Sequence, residues 1–152
     1  CSIPGTQIML NNMLGEAALF PEGFHSWPCN QRVSSLMAPT IAINKKGKTA
    51  IVTGSGGAGR IPAVIMQSIH YMLDYQLACE SAIHSPRIYL ENGKLDVEPG
   101  FKFDDSFVIP DCNISKFTDQ DMYFGGVHTV TYYNNGLGGS GDNRRNGIVL
   151  KN

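Results

Sequence analysis

A glycine-rich segment, Gly54 to Gly59, has the residue pattern best suited to chemistry in this sequence. It reads Gly-Ser-Gly-Gly-Ala-Gly, follows an apolar strand-like run and precedes a helical pattern. Glycines at such a junction permit a tight turn, and backbone N–H groups at the helix start can bind an anion. A dinucleotide-binding fold shares the G-x-G-x-x-G spacing but needs a second parallel strand ending in an acid about 20 residues further on. Asp74 lies inside the helical pattern instead, so the segment indicates an anion or oxyanion site.

Cysteine and histidine side chains offer a second kind of chemistry. Cys1 is a possible N-terminal nucleophile with its own α-amine as base, and a Cys–His pair is the other possibility. The remaining candidates are Cys29, Cys79 and Cys112, with His25, His70, His84 and His128. No local signature supports a cysteine hydrolase, and no Cys or His cluster has zinc-ligand spacing. We therefore expect cysteines that mainly fill packing positions, no metal site and no cofactor.

Hydrophobic periodicity predicts the elements that must position these residues. The predicted strands are Gln7–Leu10, Ala38–Asn44, Thr49–Thr53, Arg87–Leu90, Lys94–Glu98 and Val127–Tyr133, and the predicted helices are Ile61–Leu77 and Ala78–His84. Turns are predicted at Lys45–Lys48, Glu91–Lys94 and Asn134–Gly136, whereas residues 101–121 show no clear pattern. Antiparallel strands with one main helical block predict an α+β fold in a single domain, residues 1–152.

The composition excludes several classes of function. The 152 residues have a net charge of −1, and only 16% of them are charged. A protein that binds the phosphate backbone would carry a basic surface, so no nucleic-acid partner is expected. No run approaches the roughly 20 apolar residues of a membrane helix, so no membrane partner is expected. The chain begins at Cys1 without a signal-peptide pattern, and we expect a processed or truncated piece of a longer protein.

Six short motifs occur along the chain in an informative order. They are Pro4-Gly-Thr-Gln-Ile-Met-Leu-Asn-Asn12, Arg32-Val-Ser-Ser-Leu-Met-Ala-Pro-Thr40, Thr53-Gly-Ser-Gly-Gly-Ala-Gly-Arg-Ile61, Ser85-Pro-Arg87, Phe124-Gly-Gly-Val127 and Gly141-Asp-Asn-Arg-Arg-Asn-Gly147. In that order they resemble landmarks in the small subunit of the gamma-glutamyltransferases, which are N-terminal nucleophile hydrolases. The third motif, for example, is similar to the family's Val-Gly-Ser-Pro-Gly-Gly-Ser-Arg-Ile.

The resemblance implies a fold and a reaction. The fold would be part of an αββα sandwich, with two stacked antiparallel sheets covered by helices. Family members cut themselves to expose a Thr, whose hydroxyl attacks a γ-glutamyl amide and passes the acyl group to water or an acceptor amine. That Thr would lie a few tens of residues before Cys1, and the large subunit of the same precursor would be a partner. The chain alone would be inactive, and the family occurs in periplasm, at cell surfaces and in cytosol, which leaves its localisation open.

The resemblance also assigns roles to individual residues. Gly57 and Ala58 align with the glycine pair whose N–H groups form the oxyanion hole. Glu16 falls where the family has an Asp that pairs with the substrate α-ammonium, and Ser35 matches the first of two serines that bind the α-carboxylate. Met13 replaces a family Glu or Gln, and Leu36 replaces the second serine, so one polar contact to the α-ammonium and one to the α-carboxylate would be missing.

Three alternatives remain open. The replacements at Met13 and Leu36 also fit a related acylase, of the cephalosporin or poly-γ-glutamate type. A scaffold without a nucleophile, or a ligand-binding module that uses the glycine segment, is a non-enzymatic possibility. Without the resemblance, Glu16 would be interpreted as a solvated loop acid and Ser35 as a serine that satisfies the backbone of a turn.

Overall fold

The computed structural model describes residues 2–46, 48–104, 109–133 and 136–150. The chain divides into two compact units, Cys1–Leu36 and Met37–Asn152. The prediction of a single domain over 1–152 stays a prediction. No helix in the described part of the chain is both long enough and apolar enough to cross a membrane.

The first unit consists mainly of turns and short 3₁₀ helices, at Met13–Gly15 and Ala17–Leu19. The predicted strand Gln7–Leu10 is wrong, because this segment forms only an isolated bridge between Ser2 and Met9. The chain turns at Gly5, whose φ is 76°, and the turn leaves too few residues for a ladder. The buried Phe20 ring packs edge-on against Trp27 at 5.8 Å and provides the apolar centre of this unit.

The second unit contains all the named strands and both α-helices. In chain order they are β1 (Thr40–Ile43), β2 (Thr49–Gly56), α1 (Ile61–Leu73), α2 (Cys79–His84), β3 (Ile88–Glu91), β4 (Lys94–Val97), β5 (Asn113–Lys116), β6 (Gly126–Tyr133) and β7 (Gly136–Ser140). The predicted hairpins and both helices are confirmed, although α1 ends at Leu73 rather than Leu77. Asp74 is its C-cap. The predicted turns at 45–48 and 134–136 include Gly47, Asn134 and Asn135, which lie outside the described residues.

A four-stranded antiparallel sheet with strand order β1-β2-β6-β7 forms the larger layer. Both α-helices pack on one face of it. Val64 of α1, Ile83 of α2 and Val127 of β6 are fully buried there and form the core cluster. Burial of this apolar stripe explains the three- and four-residue spacing along α1.

The other face of the same sheet is apolar and exposed. Ile41, Val52 and Val130 are neighbours across β1, β2 and β6 and lie in one row. Their exposed fractions are 67%, 47% and 54%. Ile148, Val149 and Leu150 line a pocket together with Val52 and Val130. All three side chains of the row nevertheless stay exposed, although branched apolar side chains in the middle of a sheet are usually buried.

A second, three-stranded sheet has the strand order β3-β4-β5. The β3–β4 hairpin closes through Asn92 and Gly93, whose φ values of 49° and 71° fit a type I′ turn, as the Asn-Gly pair predicts. Strand β5 pairs with β4 in parallel, so this sheet is mixed. The α+β class is confirmed, and the parallel pair corrects the expectation of antiparallel sheets only.

Candidate active site

The glycine segment forms a turn between β2 and α1. Strand β2 runs through Gly56, and a 3₁₀ turn, Ala58–Arg60, leads directly into α1. Gly57 has φ 130° and ψ 25°, and Ala58 has φ 50°. Neither the N–H of Gly57 nor that of Ala58 donates a hydrogen bond to a described residue. Both residues are half-buried, and two adjacent N–H groups without a partner are donors of the kind that an oxyanion hole uses.

Close packing against a second pair of glycines explains why Gly57 has no side chain. A Cβ on Gly57 would lie 3.0 Å from the Cα of Gly125. Gly125 itself has φ 77°, and a Cβ there would lie 2.9 Å from the Gly56 carbonyl oxygen. The Ser55 hydroxyl joins the two segments, since it accepts from the Gly126 N–H at 3.2 Å and donates to the Gly56 carbonyl at 2.8 Å. The Phe124–Val127 motif therefore packs against the turn.

Ala58 adopts the left-handed conformation that its alignment with a glycine requires. Its φ of 50° is unusual for a residue with a Cβ and costs about 1–2 kcal/mol. Only the N–H is needed for an oxyanion, so the alanine side chain does not prevent that role. Strain of this kind persists when the surrounding structure over-determines the backbone.

A positive charge lies beside the turn. The Arg145 side chain crosses the paired glycines Gly56 and Gly126. A Cβ on Gly56 would be 3.7 Å from the guanidinium carbon, and one on Gly126 would be 2.4 Å from Cδ. Among the described residues Arg145 forms no salt bridge. The two glycines therefore make room for a cation, whose field favours negative charge at the turn.

Four buried charged residues hold the surrounding segments together. Arg87 donates to Asp142 at 2.6 Å, and Arg144 donates to Asp142 at 3.1 Å and to Glu98 at 2.5 Å. The same cluster also forms hydrogen bonds with the backbone, since Asp142 accepts one from the Val127 N–H at 2.8 Å. Two cations and two anions balance the charge. This cluster joins three of the six sequence motifs at one point in the core.

The pKa of Asp142 is lowered by this environment. Burial raises the pKa of the carboxyl group, but the Arg87 cation and the N–H groups of Arg144 and Val127 lower it by more. Asp142 is therefore a permanent anion at neutral pH. This charge lets Arg87 remain buried, at 1% exposure, with its two terminal nitrogens donating to Asp142, Phe124 and Ile83, whereas its Nε has no hydrogen-bond partner among the described residues.

The first unit contains the other residues that the resemblance singles out. Met13 begins a 3₁₀ helix and Glu16 closes it, with the Glu16 N–H donating to the Met13 carbonyl at 3.3 Å. Both side chains are half-buried, and Glu16 forms no ion pair with any described residue. Ser35 is exposed and Leu36 half-buried in an extended segment. The structure thus brings Met13 and Glu16 into one turn and leaves Ser35 and Leu36 as a separate consecutive pair.

The competing candidates gain no geometric support. Cys29, Cys79 and Cys112 are free thiols without a hydrogen bond to histidine, and Cys1 lies outside the described residues. Within the described ranges, no group of three His, Cys, Asp or Glu side chains is placed to hold a metal ion. After α1 and α2 the chain enters the three-stranded sheet rather than returning parallel to β2, so the dinucleotide-binding unit is absent from the described residues.

Sequence reasoning quoted the motifs that contain Arg87, Asp142 and Arg144 without assigning a role to them. The Arg87–Asp142 and Glu98–Arg144 pairs join residues 55 and 46 positions apart, and no local pattern specifies such partners, whereas Asp142 and Arg144 are two positions apart. An available signal was the charge in two of the motifs, with Arg87 in one and Asp142, Arg144 and Arg145 in the other. Arg60 was missed for the same reason, because its partners Tyr89 and Tyr123 come from distant segments.

The chain is similar to known proteins in fold and in sequence. A gamma-glutamyltranspeptidase from Pseudomonas nitroreducens, solved in complex with L-DON, superposes with a TM-score of 0.73 at 17% identity, over 99% of this chain and 85% of that one. That likeness shows that the two chains share a fold. Residues 1–151 match the gamma-glutamyltranspeptidase family, and the chain belongs to that family.

Two curated relatives indicate the range of the family. A glutathione hydrolase proenzyme of Bacillus subtilis (strain 168) is 27% identical over 157 residues, covering 97% of this chain and 25% of that protein. An acylase proenzyme, ACY 1 of Pseudomonas sp. (strain SE83), is 33% identical over 96 residues, covering 63% of this chain and 17% of that protein. The chain thus spans a quarter or less of the length of these relatives.

Proposed function

We propose that the complete protein, of which this chain is the C-terminal part of a small subunit, transfers or hydrolyses the γ-glutamyl group of γ-glutamyl amides. Donors of the glutathione type are the expected substrates, and water or an amine is the acceptor. Family membership supports this class of reaction. The observation that carries the proposal is the pair of unpaired N–H groups at Gly57 and Ala58.

The turn has a defined task in this reaction. A Thr hydroxyl, upstream of this chain, attacks the amide carbonyl carbon while the α-amine of that Thr takes the hydroxyl proton. The carbonyl oxygen becomes an oxyanion and accepts hydrogen bonds from Gly57 and Ala58. The C–N bond then breaks, the amine leaves with the proton, and an ester remains for water or the acceptor amine to cleave. Loss of one oxyanion donor typically lowers the rate by about 10²–10³.

Residues of the first unit recognise the acyl group in this proposal. The Glu16 carboxylate pairs with the substrate α-ammonium, and its lack of an ion pair among the described residues leaves its charge available. The Ser35 hydroxyl donates to the α-carboxylate. Met13 and Leu36 add apolar contact only, and the large subunit of the same precursor supplies an Arg for the carboxylate. The separate chain is therefore inactive.

An assay of the full-length, self-processed protein with a γ-glutamyl anilide tests the proposal. We expect release of the chromogenic aniline, and no release from a variant whose nucleophilic Thr is replaced by Ala. Absence of turnover, with processing verified by mass spectrometry, would refute the γ-glutamyl substrate. A precursor without a Thr at a processing junction upstream would instead favour a binding or relic role.

A related acylase is the second candidate, favoured by the 33% identity to ACY 1 and by the apolar Met13 and Leu36. The two functions differ in their need for an α-amino group on the acyl chain. Glutaryl anilide lacks that group, whereas γ-glutamyl anilide carries it. Preference for the glutaryl donor, with kcat/KM unaffected in Glu16→Ala and Ser35→Ala, would establish the acylase reaction.

A further inference from the structure

Arg60 ends the glycine turn, and two tyrosine rings hold its guanidinium group. The guanidinium carbon lies 4.1 Å from the ring centroid of Tyr123 and 5.0 Å from that of Tyr89. A cation within about 6 Å of an aromatic face is attracted to it, more strongly when water is excluded. Arg60 forms no salt bridge with a described residue, and its Nε has no hydrogen-bond partner there. The two rings are thus its principal partners.

The rings themselves are fixed by hydrogen bonds to the three-stranded sheet. Tyr123 donates its hydroxyl proton to the buried Asp96 at 2.6 Å, and Tyr89 donates to Glu91 at 3.1 Å. Tyr89 and Asp96 face each other across β3 and β4. The rings meet edge to face, with centroids 6.4 Å apart. Arg60 is therefore bound to a rigid platform.

This platform also contacts the turn directly. A Cβ on Gly59 would lie 3.3 Å from the Tyr89 hydroxyl oxygen. The Arg60 N–H donates to the Gly57 carbonyl at 3.1 Å, which closes the turn around Ala58. One end of the turn is fixed by the pairing of β2 with β6, and the other end by Arg60. Between these two anchors lies Ala58 with its strained φ of 50°.

We propose that Arg60 is a positioning residue for the acyl transfer proposed above. Its cation–π contacts hold the left-handed Ala58 in place, and this keeps the N–H groups of Gly57 and Ala58 directed at one oxyanion. Arg60 acts through the turn and touches no substrate. The expected effect of Arg60 on kcat rests on the proposed function. Its expected effect on the backbone conformation of Ala58 does not.

Paired substitutions in the full-length, processed protein test this role. Arg60→Met removes the charge and Tyr123→Leu removes the nearer ring, whereas Arg60→Lys and Tyr123→Phe keep the cation and the ring. With γ-glutamyl anilide, we expect the first two variants to lose about 10- to 100-fold in kcat with KM within about twofold, because the oxyanion bonds matter only in the transition state. The two conservative variants should retain kcat within about threefold.

Tyr71→Phe is the matched structural control. It removes a half-buried hydrogen bond from the Tyr71 hydroxyl to the Pro86 carbonyl, 2.9 Å long, in the same unit but away from the turn. An equal loss of kcat in this control, unchanged kcat in Arg60→Met, or a loss that falls on KM would overturn the proposal. If Arg60→Met does not fold, the Tyr123 pair gives the same test.

A crystal structure of Arg60→Met separates this inference from the proposed function. Absence of turnover in the wild-type protein would refute the proposed function but not the positioning role of Arg60. In that case the φ of Ala58 in the Arg60→Met structure tests the inference. A φ outside the left-handed region supports the positioning role, and an unchanged φ overturns it.

Discussion

Gly57 and Ala58 both have positive φ, but they respond differently to a side chain. Gly57 has φ 130°, and its Cα lies so close to Gly125 that any Cβ would meet backbone at 3.0 Å. Ala58 already has its Cβ and has φ 50°. The sequence Gly-Ala at this point is thus asymmetric for a steric reason: only the first position lacks room.

Gly57→Ala should therefore be far more harmful than Ala58→Gly. We expect Gly57→Ala to destabilise the protein by about 1–3 kcal/mol, since backbone at Gly125 cannot move aside cheaply. Its kcat should fall at least tenfold as the first N–H turns away. Thermal unfolding and turnover of the processed protein measure both effects.

Ala58→Gly is the matched control at the next residue. Release of the left-handed strain offsets the greater freedom of glycine in the unfolded chain, so we expect stability within about 1 kcal/mol of wild type. Similar losses in the two variants would show that the close approach to Gly125 does not limit the turn.

Leu36 is a residue-scale test of substrate recognition. In the proposed function it occupies the position of a missing serine, and Leu36→Ser restores a hydroxyl donor for the α-carboxylate. We expect KM for γ-glutamyl anilide to fall severalfold, in line with about 1 kcal/mol for one hydrogen bond. Ser35→Ala should raise KM in the same assay. Unchanged KM in both variants would place the carboxylate elsewhere.

At the scale of elements, the buried charge cluster joins α2, β6 and the Gly141–Gly147 segment through Asp142. Asp142→Asn keeps the shape of the side chain but leaves Arg87 without its anion. Breaking a buried ion pair in this way costs about 3–5 kcal/mol. Urea denaturation followed by circular dichroism should show this loss, whereas Asp119→Asn, at an exposed position, should stay within about 0.5 kcal/mol.

The same residue makes stability depend on pH. The folded-state pKa of Asp142 lies below the ordinary Asp pKa of about 3.9, because Arg87 and two N–H groups favour the anion over the effect of burial. The unfolded state binds the proton first, so this stabilisation is complete well above pH 4 and is lost as the pH falls through the folded-state pKa. The stability difference between wild type and Asp142→Asn should narrow between pH 6 and pH 3. Parallel curves would show that Asp142 does not titrate as inferred.

The elements show where sequence patterns suffice. The β1–β2 and β3–β4 hairpins follow from alternation and from the Asn92-Gly93 turn, and α1 follows from its apolar spacing. Strand β7 was missed because it contains Gly138 and Gly139. Those glycines are needed because a Cβ on Gly139 would lie 2.6 Å from the Thr129 carbonyl. A strand whose glycines fit its neighbour cannot be distinguished from a loop by sequence alone.

The candidate site also has parts that the sequence could predict and parts that it could not. The turn at Gly57 and Ala58 was predictable, because glycines between a strand and a helix permit the tight turn and the positive φ that such a junction needs. The roles of Glu16 and Ser35 came from the resemblance and remain predictions. Arg60 was not predictable, because its function depends on Tyr89 and Tyr123, which reach it only through tertiary packing.

At the scale of the whole molecule, the row Ile41, Val52 and Val130 is an exposed apolar surface in the middle of the larger sheet. A continuous apolar sheet face in water favours association. We expect the separate chain to self-associate, and sedimentation velocity should show oligomers or aggregates. Val52→Thr with Val130→Thr should reduce this association.

Val127→Thr provides the control on the opposite face of the same sheet. Val127 is fully buried beneath the helices, so the added hydroxyl should destabilise the unit without reducing association. A wild-type chain that sediments as a stable monomer would show that the exposed row is not a contact surface.

The pairing of Arg87 with Asp142 also limits when the core can form during protein synthesis. The two residues are 55 positions apart, so at about 5–20 residues per second Arg87 precedes its anion by roughly 3–11 s. During that interval, burial of the guanidinium group would leave its charge unpaired. We therefore expect the helices to pack on the sheet only after Asp142 has been added. Nascent chains arrested before Asp142 emerges should be cleaved rapidly by protease, whereas chains arrested after Gly147 has emerged should resist it. Equal resistance in both would mean that the core closes before its last ion pair is made.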